Sequence, residues 1–511
     1  MNTFMNGLKT ANNFTYTENG ALTHKSTMNA LLDFFAMGAA YRSRSDEDCI
    51  LLFKNAFAEN PTYALKCLFY IRDIRGGQGE RRFFRVVTKW LASAETEAMR
   101  RNLALVPEYG RWDDLLTFVG TPLSNEALNI IKHQLALDVE CKTPSLLAKW
   151  LPSENTSSKE TREKGEIVRK YLGFTAKQYR KTLSVLRKRI NVLERLMSEG
   201  RWDEIEFDKI PSKAGLKYKN AFARHDIERM KANPEVKSYE EFAKDTTTKV
   251  NAKTLYPYEV VDKAVKVMNL HNYYWGTPKF PALDDTDRLM VNKYWDNLAD
   301  YFNGKSFNAL AVVDTSGSMT GSNADAPLNV AISLGLYCAE KAKGPFAGHY
   351  VSFSRRPKLI ATEGVDFCDK VQRIYRENLC ENTDIEATFD MLLNTAIQNR
   401  CVQEDLPENI IVISDMEFDS GTGYPHRGTR ETQTLMESIR EKWARNGYRM
   451  PHLIYWNVAC RQNNIPENIG CGLVSYVSGM SPSIFETIMS GKTGYELMME
   501  KLDSKRYEAV R

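Results

Sequence analysis

Asn308 to Gly321 reads NALAVVDTSGSMTG, an apolar run that stops at an aspartate and passes at once into Ser316, Gly317 and Ser318. A short, continuous aliphatic run of this kind fits a strand covered on both faces, as in a parallel sheet, and its end delivers an acid to the sheet's rim. Asn409 to Asp415, NIIVISD, repeats the pattern. Around these runs the C-terminal sequence alternates strand and helix. The periodicity predicts a strand to Val313, a helix over Pro327 to Lys341, a strand over His349 to Phe353 and its hairpin partner over Leu359 to Thr362. After a polar stretch from Val371 it predicts helix Ile385 to Ile397, strand Ile410 to Ser414, helix Glu431 to Arg445, and strands His452 to Asn457 and Gly472 to Val477. Helices over Ser481 to Met489 and Gly494 to Leu502 close the chain. Such alternation implies a mostly parallel sheet with helices on both faces, and sheets of that type gather ligands at the carboxyl ends of their strands. There, Asp314, Ser316 and Ser318 can turn three oxygens toward one point. Hard oxygen donors suit Mg²⁺ or Ca²⁺. The plainer alternative is a polar strand-to-helix turn with a capping serine.

The composition shifts near Asn303, and helix follows helix before it. Residues up to about Leu22 read as extended or frayed. Helices are expected over Ser26 to Ala40, Asp46 to Ala58, from Pro61 through Ile71, over Phe83 to Leu91, Thr175 to Met197, Tyr256 to Leu270 and Leu289 to Tyr301. A short echo joins Gly110-Arg111-Trp112-Asp113-Asp114-Leu115 to Gly200-Arg201-Trp202-Asp203-Glu204-Ile205. The expected role is structural, with the tryptophan packing between helices while the acid caps or pairs with arginine. Repeated helical corners suggest an α-solenoid of HEAT type.

The chain of 511 residues carries 69 Lys+Arg against 65 Asp+Glu, a net +4. From Tyr301 onward there are 22 basic and 26 acidic residues, so the balance is −4 there and +8 before it. Within the basic part, Arg72, Arg75, Arg81 and Arg82 crowd the Gly-containing hinge IRDIRGGQGERR. Lys177, Arg180, Lys181, Arg187, Lys188 and Arg189 crowd the helix from Thr175. Each group reads either as a solvated face or as a surface that grips phosphates. No apolar run approaches the ~20 residues of a membrane span. The nine cysteines form no C-x-x-C pair, which points to reduced thiols and a cytoplasmic setting.

The order D-x-S-x-S, then Thr, then Asp at a strand end resembles the metal-ion-dependent adhesion site of von Willebrand factor A domains. The resemblance implies that Asp314, Ser316, Ser318, Thr383 and Asp415 hold a divalent cation, Mg²⁺ in preference to Ca²⁺, with one position left for a partner's carboxylate. Further stretches are similar to a family found in plants, giant viruses and phages: Thr17 to Gly20 with Thr23, Ile71 to Arg82, Ala148 to Glu154, Tyr179 to Met197, Ile210 to Ala214, and Asp415 to Asp419. That family is similar in layout to the Ro autoantigen, a TROVE module of helical repeats joined to a von Willebrand A domain. The implied architecture is an all-α, HEAT-like (TROVE-like) region over 1–302 followed by an α/β von Willebrand A (Rossmann-like) domain over 303–511.

The function expected first is a noncatalytic scaffold whose helical part binds small noncoding RNA and whose cation docks a protein through an exposed carboxylate. A metal-dependent assembly module without nucleic acid is the alternative. Enzymatic function is disfavoured. The sequence has no H-E-x-x-H, Gly491-Lys492-Thr493 lacks the leading glycine and strand of a phosphate loop, and the site lacks the extra carboxylates of a two-metal nuclease.

Overall fold

β3 (Ala309–Asp314) lies at the centre of a six-stranded sheet and is buried at every position. In the computed structural model, which describes residues 12–270, 285–320, 326–377, 382–420, 434–467 and 473–511, β3 pairs in parallel with β4 (His349–Phe353) on one side and β6 (Asn409–Ser414) on the other. β5 (Lys358–Ala361) adds an antiparallel edge, and β7 (His452–Asn457) and β8 (Val474–Ser478) extend the parallel side, giving the order β5-β4-β3-β6-β7-β8. Helices Pro327–Lys341, Ile385–Gln398, Leu435–Arg445 and Gly494–Leu502 connect or follow the strands, close to the spans expected from periodicity. The expected starts at Glu431 and Gly472 fall outside the described residues.

Several features depart from expectation. The stretch from Val371 belongs to a helix, Phe367–Glu377, with Phe367, Cys368, Val371, Ile374 and Tyr375 buried along one face. The charged residues on its other side mask that face when only polarity is read. The expected single helix from Thr175 breaks after Arg189, and a second begins at Leu193. Asn191 between them takes φ 49°, a left-handed conformation that ends a helix and that asparagine tolerates.

The chain gathers into two units, Met1–Cys67 with Lys249–Ser504, and Leu68–Thr248 with Lys505–Arg511. These are interleaved in sequence and do not coincide with the division into 1–302 and 303–511. In the first unit, the stretch expected to be extended or frayed is extended at Phe14–Tyr16 and Leu22–His24. β1 (Phe14–Tyr16) pairs antiparallel with β2 (Leu22–His24), and the pair is fastened to the sheet-bearing body by bridges from Gly20 to Asp419 and from His24 to Ile465. Helix Ala30–Met37 is buried at every position from Leu31 to Met37. Apart from Asp33, which accepts from Thr27 N at 2.7 Å, the helix is apolar on every side and must be covered on all of them, and here Ser478 Oγ of β8 donates to Phe35 O at 3.2 Å.

The second unit is helical. Arg72 Nε and Nη2 reach Asp114 Oδ2 at 2.9 and 2.7 Å, Arg85 reaches Asp113 and Asp114 at 2.8 and 2.7 Å, and Arg111 N donates to Asp114 Oδ2 at 2.9 Å. In the second copy of the echo, Trp202 stacks on His225 with ring centroids 4.0 Å apart, while Arg201 pairs with Glu199 and Glu204. The expected acid–arginine pairing is present in both copies, and the tryptophan packing in the second. The C-terminal residues complete this unit: Arg506 Nε contacts Asp73 Oδ2 at 2.9 Å, and Tyr507, fully buried, donates to Asp73 Oδ2 at 3.1 Å.

Candidate metal centre

After β3 the chain passes to β4 and β5 on one side and returns to β6 on the other, so the strand order reverses between β3 and β6. The crevice at such a reversal, outside the carboxyl ends of the strands, is where open α/β sheets place ligands. Asp314 ends β3 there, and Asp415 follows β6 directly.

Both aspartates are fully buried. Asp314 Oδ1 accepts from Ser316 N at 2.9 Å and its Oδ2 accepts from Ser414 Oγ at 2.6 Å. Ser316 Oγ and Ser318 Oγ lie 2.9 Å apart on the turn that follows. Asp415 Oδ1 accepts from Glu417 N at 3.2 Å, whereas its Oδ2 is buried and receives no hydrogen bond. Between them Met416 adopts φ 66°, a left-handed conformation that costs a side-chain-bearing residue roughly 1–2 kcal/mol. That sharp turn keeps the carboxylates of Asp415 and Glu417 both buried, and strain of this sort collects at functional sites.

Thr383 is buried just ahead of helix Ile385–Gln398, which Asp384 caps by accepting from Ala387 N at 2.9 Å. Its carbonyl accepts from Asp419 N at 3.0 Å and its hydroxyl from Asn19 Nδ2 at 3.3 Å. The same Nδ2 donates to Glu417 O at 2.6 Å. Direct contacts thus join Asp314, Ser316 and Ser318, and Asn19 ties Thr383 to the loop that carries Asp415 and Glu417. Arg461 lies alongside, with its Nε 3.6 Å from Asp415 Oδ2, its Nη1 3.4 Å from Glu18 Oε2 and its Nη2 donating to Ser318 O.

The electrostatics follow from burial. Desolvation, and then the charge of Asp415, push the Asp314 carboxyl up to about 7, against the opposing hydrogen bonds of Ser414 and Ser316. Asp415 is raised as well, chiefly by burial, with the Glu417 amide, Arg461 and the Ser318 hydroxyl pulling the other way. Burial also lifts Glu417 to about 7. A divalent cation suits such a site. It offsets the repulsion between neighbouring carboxylates, and Asp415 Oδ2 offers a buried oxygen with no hydrogen bond. Among the described residues no three His, Cys, Asp or Glu side chains form a metal-holding group. A cation here would therefore depend on the hydroxyls of Ser316, Ser318 and Thr383 beside two aspartates, a sparse oxygen set that suits a cation retaining its waters, as Mg²⁺ does.

Glu18, Asn19, Ser414, Glu417 and Arg461 were not among the sequence candidates. Asn19-Gly20 between β-prone runs is a hairpin signal that reveals the turn. Nothing local reveals where the turn lands.

The basic candidates divide. Arg72, 2% exposed and bonded to Asp114, cannot present its guanidinium to a phosphate, contrary to the sequence expectation. Arg187 is also a structural clamp, donating to Ala148 O, Ser153 Oγ and Leu151 O at 2.8, 2.9 and 2.9 Å. Arg189 is exposed and holds Val139 O at 2.6 Å, and Arg75 is exposed and bonds Glu108 O. Arg82 is half-buried. Arg81 is exposed, and desolvation together with Arg111 and Arg85 lowers its pKa. Lys177, Arg180, Lys181 and Lys188 are exposed on helix Ala176–Arg189.

Among the described residues no helix is long and apolar enough to cross a membrane, and the cysteines described are unpaired. The chain is similar to the Uncharacterized protein L728 of Acanthamoeba polyphaga mimivirus, 29% identical over 516 residues that cover 94% of this chain and 85% of that one. Residues 308–509, which hold the sheet and the loops after β3 and β6, match the Domain of unknown function DUF7788. Residues 17–145 and 143–305 match the Domain of unknown function DUF2828, and with more than half of its length so matched the chain belongs to the DUF2828 family.

Proposed function

We propose that this protein is a noncatalytic docking scaffold whose sheet-bearing unit, of the von Willebrand A type, binds Mg²⁺ or a similar divalent cation and through it a carboxylate of a protein partner. The observation that carries this reading is the pairing of two buried aspartates at the strand-order reversal, one with an oxygen that no hydrogen bond reaches, beside two serine hydroxyls 2.9 Å apart. When bound, the cation supplies a Lewis-acidic centre for an incoming acid. Asp314 and Asp415 provide the charge, Ser316, Ser318 and Thr383 provide neutral oxygens, and Asn19 fixes the Thr383 rotamer. Few anionic donors leave the cation electron-poor and receptive to a further carboxylate. Calorimetric titration of the full chain with MgCl₂ and MnCl₂ tests this. One site is expected in the wild type, and none in a Ser316→Ala/Ser318→Ala variant that retains its melting temperature. Equal binding by the two proteins would refute the reading.

A second activity, binding of small noncoding RNA by a TROVE-like, HEAT-like helical unit, is favoured by the exposed cations Lys177, Arg180, Lys181 and Lys188 along one helix. Phosphate contacts of that kind weaken steeply with salt. A structured RNA with a single-stranded tail should bind at low salt and be released as salt rises. Absence of binding at low salt would leave the assembly module without nucleic acid. The unpaired cysteines suit a reducing, cytoplasmic setting.

A further inference from the structure

The hairpin turn Thr17–Gly20 is seated on the loop after β6 by contacts that leave one side chain unexplained. Thr17 Oγ1 donates to Phe418 O at 2.6 Å and accepts from Ala21 N at 2.9 Å, and Asn19 Nδ2 donates to Glu417 O at 2.6 Å. Glu18 joins this anchorage through its backbone, whose N–H donates to Glu417 Oε2 at 2.7 Å. Ser420 N closes the far side on Asn19 O at 3.2 Å. The Glu18 carboxylate adds only one long contact to that anchorage. Its contact is a long ion pair with Arg461, 3.4 Å from Nη1, in which the Glu18 side chain is 41% exposed. A half-exposed pair of that length contributes little to stability, so the fold itself gives no reason for an acid at this position.

The position of that acid is informative. The Arg461 guanidinium that meets Glu18 also approaches Asp415 Oδ2 at 3.6 Å and donates to Ser318 O. A single cationic group therefore touches the acid of the hairpin, the acid after β6 and the serine loop after β3. Three oxygen-bearing segments within reach of one guanidinium converge on a common positive centre.

We propose that Glu18 is an additional direct ligand of the cation held by the Asp314 and Asp415 loops, so that an acid of this chain takes the place that a partner's acid would otherwise fill. This rests on the cation site of the proposed function and goes beyond it. The N-terminal hairpin becomes part of the centre, and docking of a partner becomes an exchange of one carboxylate for another. Asn19 is then a positioning residue, fastening the same turn to Thr383.

Mn²⁺ alone is the probe, followed by electron paramagnetic resonance and water-proton relaxation on the full chain. Glu18→Gln keeps the side-chain length and the backbone N–H that anchors the turn, so the hairpin stays seated, and melting temperature checks that it does. Glu18→Gln is expected to weaken Mn²⁺ by about 10-fold or more, the usual effect of losing such a group. It should also raise the relaxivity per bound ion, because water replaces the carboxylate. Glu18→Asp retains the charge but falls one methylene short, and the same rise in relaxivity is expected. Wild-type affinity and relaxivity in Glu18→Gln would overturn the proposal. So would wild-type behaviour in Glu18→Asp, which would reduce Glu18 to a field effect. If the wild-type chain bound no Mn²⁺, the cation site and this inference would fall together.

Discussion

Asp314→Asn separates a cation ligand from a buried structural acceptor by the sign of its effect. The substitution preserves shape and hydrogen bonding. Asn Oδ1 still accepts from Ser316 N, and Ser414 Oγ, which already accepts from Met416 N at 2.9 Å, has a second lone pair for the new amide. Only the charge is lost. The wild-type carboxyl is raised from its ordinary value of 3.8 to about 7. At 1.36 kcal/mol for each pH unit, the ionised side chain therefore withdraws as much as about 4 kcal/mol from the folded state. A group whose folded pKa is raised contributes fully below its unfolded value, and that contribution is lost as pH climbs through the folded value. In EDTA the two proteins should melt alike near about pH 4, and Asp314→Asn should melt above wild type by about pH 8. Millimolar MgCl₂ should close most of that gap. At 100 times the dissociation constant a ligand adds about 2.7 kcal/mol to a protein that binds it, and only the wild type should gain. Thermal melting across pH, with and without Mg²⁺, reads both effects. A variant less stable than wild type in EDTA at alkaline pH would refute the reasoning, because the Asp314 charge would then support the fold.

In the helical unit, Tyr507→Ala empties a fully buried site where the ring stacks on Tyr109 at 5.7 Å, and should destabilise by about 3–5 kcal/mol. Hydrogen exchange should show the loss in Leu68–Thr248. Asp114→Ala leaves the buried Arg72 guanidinium without its carboxylate, and chemical denaturation should register about 3–5 kcal/mol. If RNA lies along helix Ala176–Arg189, Lys177→Ala/Lys181→Ala/Lys188→Ala should reduce the slope of log affinity against log salt by about 0.7 for each lost phosphate contact with a single strand. An unchanged slope would remove that helix from the interface.

The sheet was legible because its information is local. β3, β4, β6 and β7 are short apolar runs between turn residues, and their spans lie within a residue or two of those read from the sequence. The Asp-x-Ser-x-Ser loop was legible for the same reason, since Asp314, Ser316 and Ser318 are neighbours in the chain. Helix Phe367–Glu377 was hidden because its buried face is diluted by charge, and the break at Asn191 because a single left-handed residue interrupts an otherwise continuous periodicity.

The amino-acid sequence alone determined which segments become strands and where acids and hydroxyls end them, because the alternation of apolar and polar residues is set by what each segment must bury. Tertiary structure alone decided the company those acids keep. Asn19 meets Thr383 across 364 positions, Glu18 meets Arg461 across 443, and Arg506 meets Asp73 across 433. Contacts so distant along the chain leave no periodic trace in it. They exist only once the hairpin is fastened beside β6 and the C-terminal residues are packed among the helices, when burial and the need to satisfy every polar group select the partners.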